Sequence, residues 1–164
     1  ASGTVAHFEA EQVFQRGINC DWKNHDPGND VTILNLIFSK TPKILDGYTQ
    51  EQIEILRPAA AMIHLWGTNA AAKQYIIPDF FTSSKYDANT SVNMILLYAL
   101  FLYSINRYKK SGVKSVEIVT APDSCENCKK HAGKTFNIDM VPELPYAACT
   151  HKYGCRCCIV PKVL

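Results

Sequence analysis

Six of the chain's seven cysteines lie between Cys125 and Cys158, and only Cys20 lies outside that stretch. An odd count does not suit a secreted disulfide framework. Clustered thiols in a reducing compartment more often bind metal. Cys125-Glu126-Asn127-Cys128 is a C-x2-C knuckle, and Cys149, Cys155, Cys157 and Cys158 follow it. A tetrahedral zinc site takes four such ligands, two of them commonly from one tight knuckle. The expected set is therefore Cys125, Cys128 and Cys149 with Cys155, and Cys157 or His151 are alternates for the fourth place. Cys155 and Cys157 are two residues apart, so on a strand both face one side and Cys158 the other. Ordinary buried reduced thiols are the plainest alternative. A redox pair is the second, since a C-x-x-C after a strand also occurs in thioredoxin-like chemistry. His131 is a weaker candidate ligand. His7, His25 and His64 have no partner visible in the sequence.

The rest of the chain is dominated by helical patterning. Apolar residues make up 47% and charged residues 20% of the 164, as in a globular protein. A helix is expected over Thr4–Arg16 and a loop over Gly17–Asn29. A short buried helix is expected over Val31–Phe38, with Asp30 as its cap. Thr49-Gln50-Glu51-Gln52 has the capping-box pattern and should open another helix. Pro58 then kinks it or starts the next, and an apolar stripe runs from Met62 to Tyr75, where Pro78 ends it. A long apolar helix is expected from about Thr90 to Lys110, at the centre of the domain. Its uninterrupted apolar run, Met94–Tyr103, is short of the ~18 residues a membrane span needs. Lys109-Lys110-Ser111-Gly112 is a stop signal. Val113–Thr120 then reads as a strand.

The expected architecture is α+β: a mostly helical body over residues 1–111, followed by a small Cys-rich, zinc-stapled β module over 112–164. Charge divides in the same direction. Residues 105–164 carry 10 Lys/Arg against 5 Asp/Glu, whereas residues 1–104 carry 7 against 10. Lys129, Lys130, Lys134, Lys152 and Arg156 ring the module, and a basic rim of this kind suits DNA phosphate or an acidic protein face. No leader pattern of basic, apolar and small residues opens the chain, so a cytoplasmic or virion location is expected, without export through a signal peptide or contact with a membrane.

From Asn106 onward the sequence resembles the C-terminal domain of the phage Mu F-like minor head proteins, the head-morphogenesis family. The ordered pieces are Asn106-Arg107-Tyr108, Gly112-Val113, Val116 to Ala121, Cys125-x-x-Cys128, Gly133-Lys134-Thr135-Phe136, Pro142-Glu143-Leu144-Pro145 and Gly154-Cys155-Arg156-Cys157. The resemblance covers about a third of the chain. Ala132 stands where the family has an acidic residue. The His-Pro that often precedes Cys-Arg-Cys is absent, and Cys149-Thr150-His151 is in position to supply the missing ligand. The resemblance implies a non-catalytic minor head protein, with a capsid or portal-like partner and DNA nearby.

Enzyme readings are weaker. His7-Phe8-Glu9 with Pro122, Cys125 and Cys128 only loosely matches the zinc deaminase pattern, and the extra thiols would close such a site. An HNH-type nuclease would draw on Asn127, His131 and Asn137, without an evident ββα pattern. Gly133-Lys134-Thr135 lacks the upstream glycine of a phosphate loop. A zinc-dependent nucleic-acid-acting protein is nevertheless the alternative function.

Overall fold

The computed structural model describes residues 26–67 and 85–162. The helix expected over Thr4–Arg16, Cys20 and the stripe beyond Gly67 lie outside these residues. The fold is α+β, as the sequence implied. Among the described residues, three helices, α1 (Pro27–Ser39), α2 (Gln50–Trp66) and α3 (Ala88–Lys110), pack on one another, and α3 also packs on a three-stranded antiparallel sheet. The strands are β1 (Ser115–Val119), β2 (Thr135–Asn137) and β3 (Cys158–Pro161), in the order β2-β1-β3. A one-turn helix, α4 (Glu126–Lys129), follows β1.

Local signals explain most helix ends. Asp26 caps α1 by accepting from the Gly28 N–H at 2.9 Å, and Pro27 occupies the first turn, where its missing N–H costs nothing. The helix thus begins inside the stretch expected to be a loop, and its cap is Asp26 instead of Asp30. Thr49 and Gln52 form the expected capping box on α2. Pro58 lies inside α2, which runs through it as one helix. Asp87 caps α3 through the Thr90 N–H at 2.7 Å, and Gly112 takes a φ of 78° just past its end.

Asp30 is buried as the partner of His64, which lies 2.8 Å away and ties α1 to α2. That pairing spans 34 residues, so no local pattern announces it. Arg57 makes a second tie between the same helices. Its guanidinium is buried and donates to the carbonyls of Ile37 and Lys40 and to Thr41 Oγ1, groups at and just beyond the end of α1. These carbonyls have no partner within the helix.

α3 is the central element. It packs on α1, α2 and β3 and buries Thr90, Ser91, Val92, Met94, Ile95 and Ala99. At 23 residues, with a mean hydropathy of 1.4 in its most apolar window, it also meets the length and composition of a membrane span. Val116 and Ile118 of β1 and Ile159 of β3 join the same buried cluster as Leu34, Leu56 and Ile95, so helices and sheet share one core. Ile118 faces Ile159 directly across the β1–β3 pair.

Replacing Arg57 by Ala should destabilise the fold by about 3 kcal/mol, because it strips buried carbonyls of a charged donor. Urea unfolding of the variant, read as a lower midpoint at unchanged slope, checks this.

Candidate metal centre

The C-x2-C knuckle is built by one turn of helix. Cys125 sits at the N-cap of α4, and its carbonyl accepts from the Cys128 and Lys129 N–H groups, both at 3.0 Å. Both sulfurs are thereby aimed at the loop that returns from β2. The turn residues Ala121 to Ser124 hold the knuckle against the end of β1 through a Ser124 N–H to Ala121 carbonyl bond of 3.0 Å.

The returning loop has no regular secondary structure from residue 138 to 157. Contacts from elsewhere fix it in place. The Tyr86 hydroxyl donates to the Cys149 carbonyl at 3.1 Å, and the Asn127 amide donates to the Ala148 carbonyl at 2.9 Å. The Cys155 N–H points at the Met94 sulfur at 3.3 Å, under α3. Gly154 has a φ of 73°, and a Cβ there would lie 2.6 Å from Met94. Only a residue without a side chain fits both the left-handed backbone and that approach.

Five sulfurs meet at this point. Cys125, Cys128 and Cys149 form one trio and Cys128, Cys155 and Cys157 another, with all sulfurs in each trio within 4.8 Å of one another. Cys128 belongs to both. The Cys125–Cys149 sulfur distance is 3.7 Å and the Cys128–Cys155 distance is 3.9 Å. Metal–sulfur bonds of ~2.3 Å give a tetrahedron with edges of ~3.8 Å, so each distance suits two ligands of one ion, while Cys155 stands outside the first trio. Cys125, Cys128, Cys149 and Cys155 line one small cleft, which Cys157 does not line. All but Cys125 are buried, and Cys125 is partly so. This is a cysteine-rich group at metal-binding distance.

The electrostatics set the thiols apart. Burial opposes ionisation of Cys125, but N–H groups of Thr150 and Cys128 donate to its sulfur and bring its pKa down to about 6. The Cys157 thiol donating to Cys155, with N–H groups of Tyr146 and Cys157 added, outweighs burial and brings Cys155 down to about 5. Burial pushes Cys149 up to about 11 despite a donor from the His151 backbone. Burial and the neighbouring Cys155 raise Cys128 further. Hydrogen-bond donors thus favour the thiolate at Cys125 and Cys155, backbone N–H groups foremost at Cys125 and the Cys157 thiol foremost at Cys155.

The other expected residues fall around this cluster. Cys155 and Cys157 precede β3 instead of lying on it, so strand alternation is not what turns them to one side. Both are buried because the loop folds under α3. Cys158 opens β3, opposite Val119, and is exposed. His151 lines the cleft, but its Nδ1 accepts from the Tyr153 N–H at 3.2 Å and its Nε2 lies 3.5 Å from Asp123. His131 packs its ring edge-on to Tyr146, with centroids 4.8 Å apart, and belongs to neither trio. Lys129, Lys130, Lys134, Lys152 and Arg156 are all exposed. Glu126 engages Lys129 at 2.8 Å and Asp123 engages Arg156, so part of the basic rim is neutralised locally. Lys152 lies over the Tyr153 ring, 4.6 Å from its centre. Tyr86, Met94 and Gly154, which position the site, carried no local signal. Met94 and Tyr86 are 61 and 63 residues away from the cysteines they hold.

The chain was compared with known families, curated proteins and solved structures, and none of them matches it.

Gly154→Ala should lower stability by about 1–3 kcal/mol and weaken metal retention, since the added methyl forces Met94 and the cysteine loop apart. Thermal unfolding with and without chelator checks both effects.

Proposed function

We propose that the chain is a non-catalytic assembly protein whose C-terminal module is stapled by a structural zinc ion, in the manner of the phage or prophage minor head proteins that residues 106–161 resemble. The observation that carries this reading is the donor set: sulfur only, drawn from a knuckle and a return loop, and turned inward. Structural zinc sites are closed tetrahedra of this kind, whereas catalytic ones keep a position for water or substrate. Cys125, Cys128, Cys149 and Cys155 would hold the ion. Binding would fix the loop to the knuckle and supply folding free energy to a module with little regular structure of its own.

The second support is the small sheet, whose strands are five, three and four residues long. Strands this short need packing or a staple to persist. A rigid platform of that sort presents Lys130, Lys134 and Lys152, which have no carboxylate partner among the described ion pairs, to a capsid or portal-like protein or to DNA.

A chelator should therefore melt the module while α1–α3 keep most of the helical signal in far-UV circular dichroism. Zinc affinity should fall as pH falls. Near pH 7 the ion displaces protons from Cys149, with its pKa of about 11, and from Cys128, which burial also keeps protonated. Two protons make the fall about two log units per pH unit. It steepens below about pH 6 as Cys125 also protonates. Competition titrations with a zinc indicator between pH 5.5 and 8 measure the slope, each value referred to roughly 1.4 kcal/mol per decade.

The assembly role is tested separately. Phage particles released by the source cells should contain the chain at low copy, and Cys125→Ser in the genome should lower the yield of filled heads. Absence of the chain from purified particles, with zinc content intact, would overturn the head reading and leave the metal reading standing.

A further inference from the structure

A tetrahedral ion takes four ligands, yet five thiols share this cluster. Cys157 is buried, its sulfur lies within 4.8 Å of those of Cys128 and Cys155, and it does not line the cleft that the other four line. A single tetrahedron built on the four sulfurs of the cleft leaves Cys157 outside it, within reach of two of them. We propose that Cys157 is a reserve metal ligand, able to take the place of Cys155 so that the site keeps four sulfurs when Cys155 is lost. The inference rests on the metal reading above and deepens it.

The geometry favours an exchange between these two residues over any other pair. Their sulfurs lie within 4.8 Å of each other and of Cys128, so either can join Cys128 at one ion. Both sit on residues 155–157, outside any helix or ladder, where the Cys155 N–H meets the Met94 sulfur at 3.3 Å. Cys149 is fixed from two sides, by Tyr86 at its carbonyl and by the first trio, and has no comparable neighbour. The cleft also ranks the pair. Cys155 lines it with Cys125, Cys128 and Cys149, and Cys157 does not, so Cys155 is the resident ligand and Cys157 the stand-by thiol.

The exchange balances without an oxidant. The metal–sulfur bond to Cys155 breaks and one to Cys157 forms. The proton leaves the Cys157 sulfur and ends on the Cys155 sulfur, and the charge of the site is unchanged. His151 does not compete for the place, because both its ring nitrogens already face other groups.

The test compares Cys155→Ser, Cys157→Ser, the double variant and Cys125→Ser in the full chain, each reconstituted with zinc and with cobalt(II). Cys157→Ser should hold one ion like the parent. Cys155→Ser should also hold one, with affinity lowered by about tenfold or less and with the cobalt charge-transfer intensity of four thiolates. The double variant should lose far more than the roughly 100-fold that a merely supporting contact contributes. Cys155→Ser losing the ion as completely as Cys125→Ser, or failing to fold with zinc when Cys157→Ser folds, would overturn the reserve role and leave the metal site intact. A parent protein that holds no ion would remove both readings, and one that holds two would replace the reserve with a second site.

Discussion

Sulfur atoms from separate stretches of chain converge beneath the N-terminal half of α3, where the long return from β2 to β3 meets the C-x2-C knuckle. The sheet is small, and the long return from β2 to β3 has no ladder to hold it. What holds it is a set of point contacts: Tyr86 on the Cys149 carbonyl, Asn127 on Ala148, Met94 on the Cys155 N–H. Each is worth about a kilocalorie net. A shared cation would convert these separate contacts into one cooperative unit, because every ligand it gains closes another loop of chain.

The helical body stands in a different relation to its own polar groups. Asp30, His64 and Arg57 are buried between helices, where an unpaired polar group would cost more than a neighbouring contact returns. They are kept by mutual satisfaction: a carboxylate against an imidazole, and a guanidinium over the open carbonyls that end α1. These pairs fix how α1 and α2 are seated. That seating positions α3, and α3 carries Met94 to the cysteine loop. The site is in this sense supported from the other end of the molecule.

Basic side chains decorate the module without forming an unbroken positive face. Glu126 and Asp123 each engage one of the expected contact residues, leaving Lys130, Lys134 and Lys152 without a carboxylate partner among the described ion pairs. Arg156 is at once a surface cation and a neighbour of the thiol cleft.

Local chemistry in the sequence determined a good deal. The C-x2-C spacing, the capping box at Thr49, the apolar run of α3 and the stop at Gly112 are each set by residues within a few positions of one another, and each appears in the structure. The grouping of thiols was legible for the same reason, as their density in one stretch leaves few other uses. Only the tertiary structure decided which sulfurs meet, that Cys155 and Cys157 reach the cluster from a loop instead of a strand, and that Asp30 is a buried partner of His64 and not a helix cap. Those outcomes depend on contacts between residues tens of positions apart. Periodicity and spacing carry no information about them, because the energy that selects them comes from burial against a neighbour that the local chain does not contain.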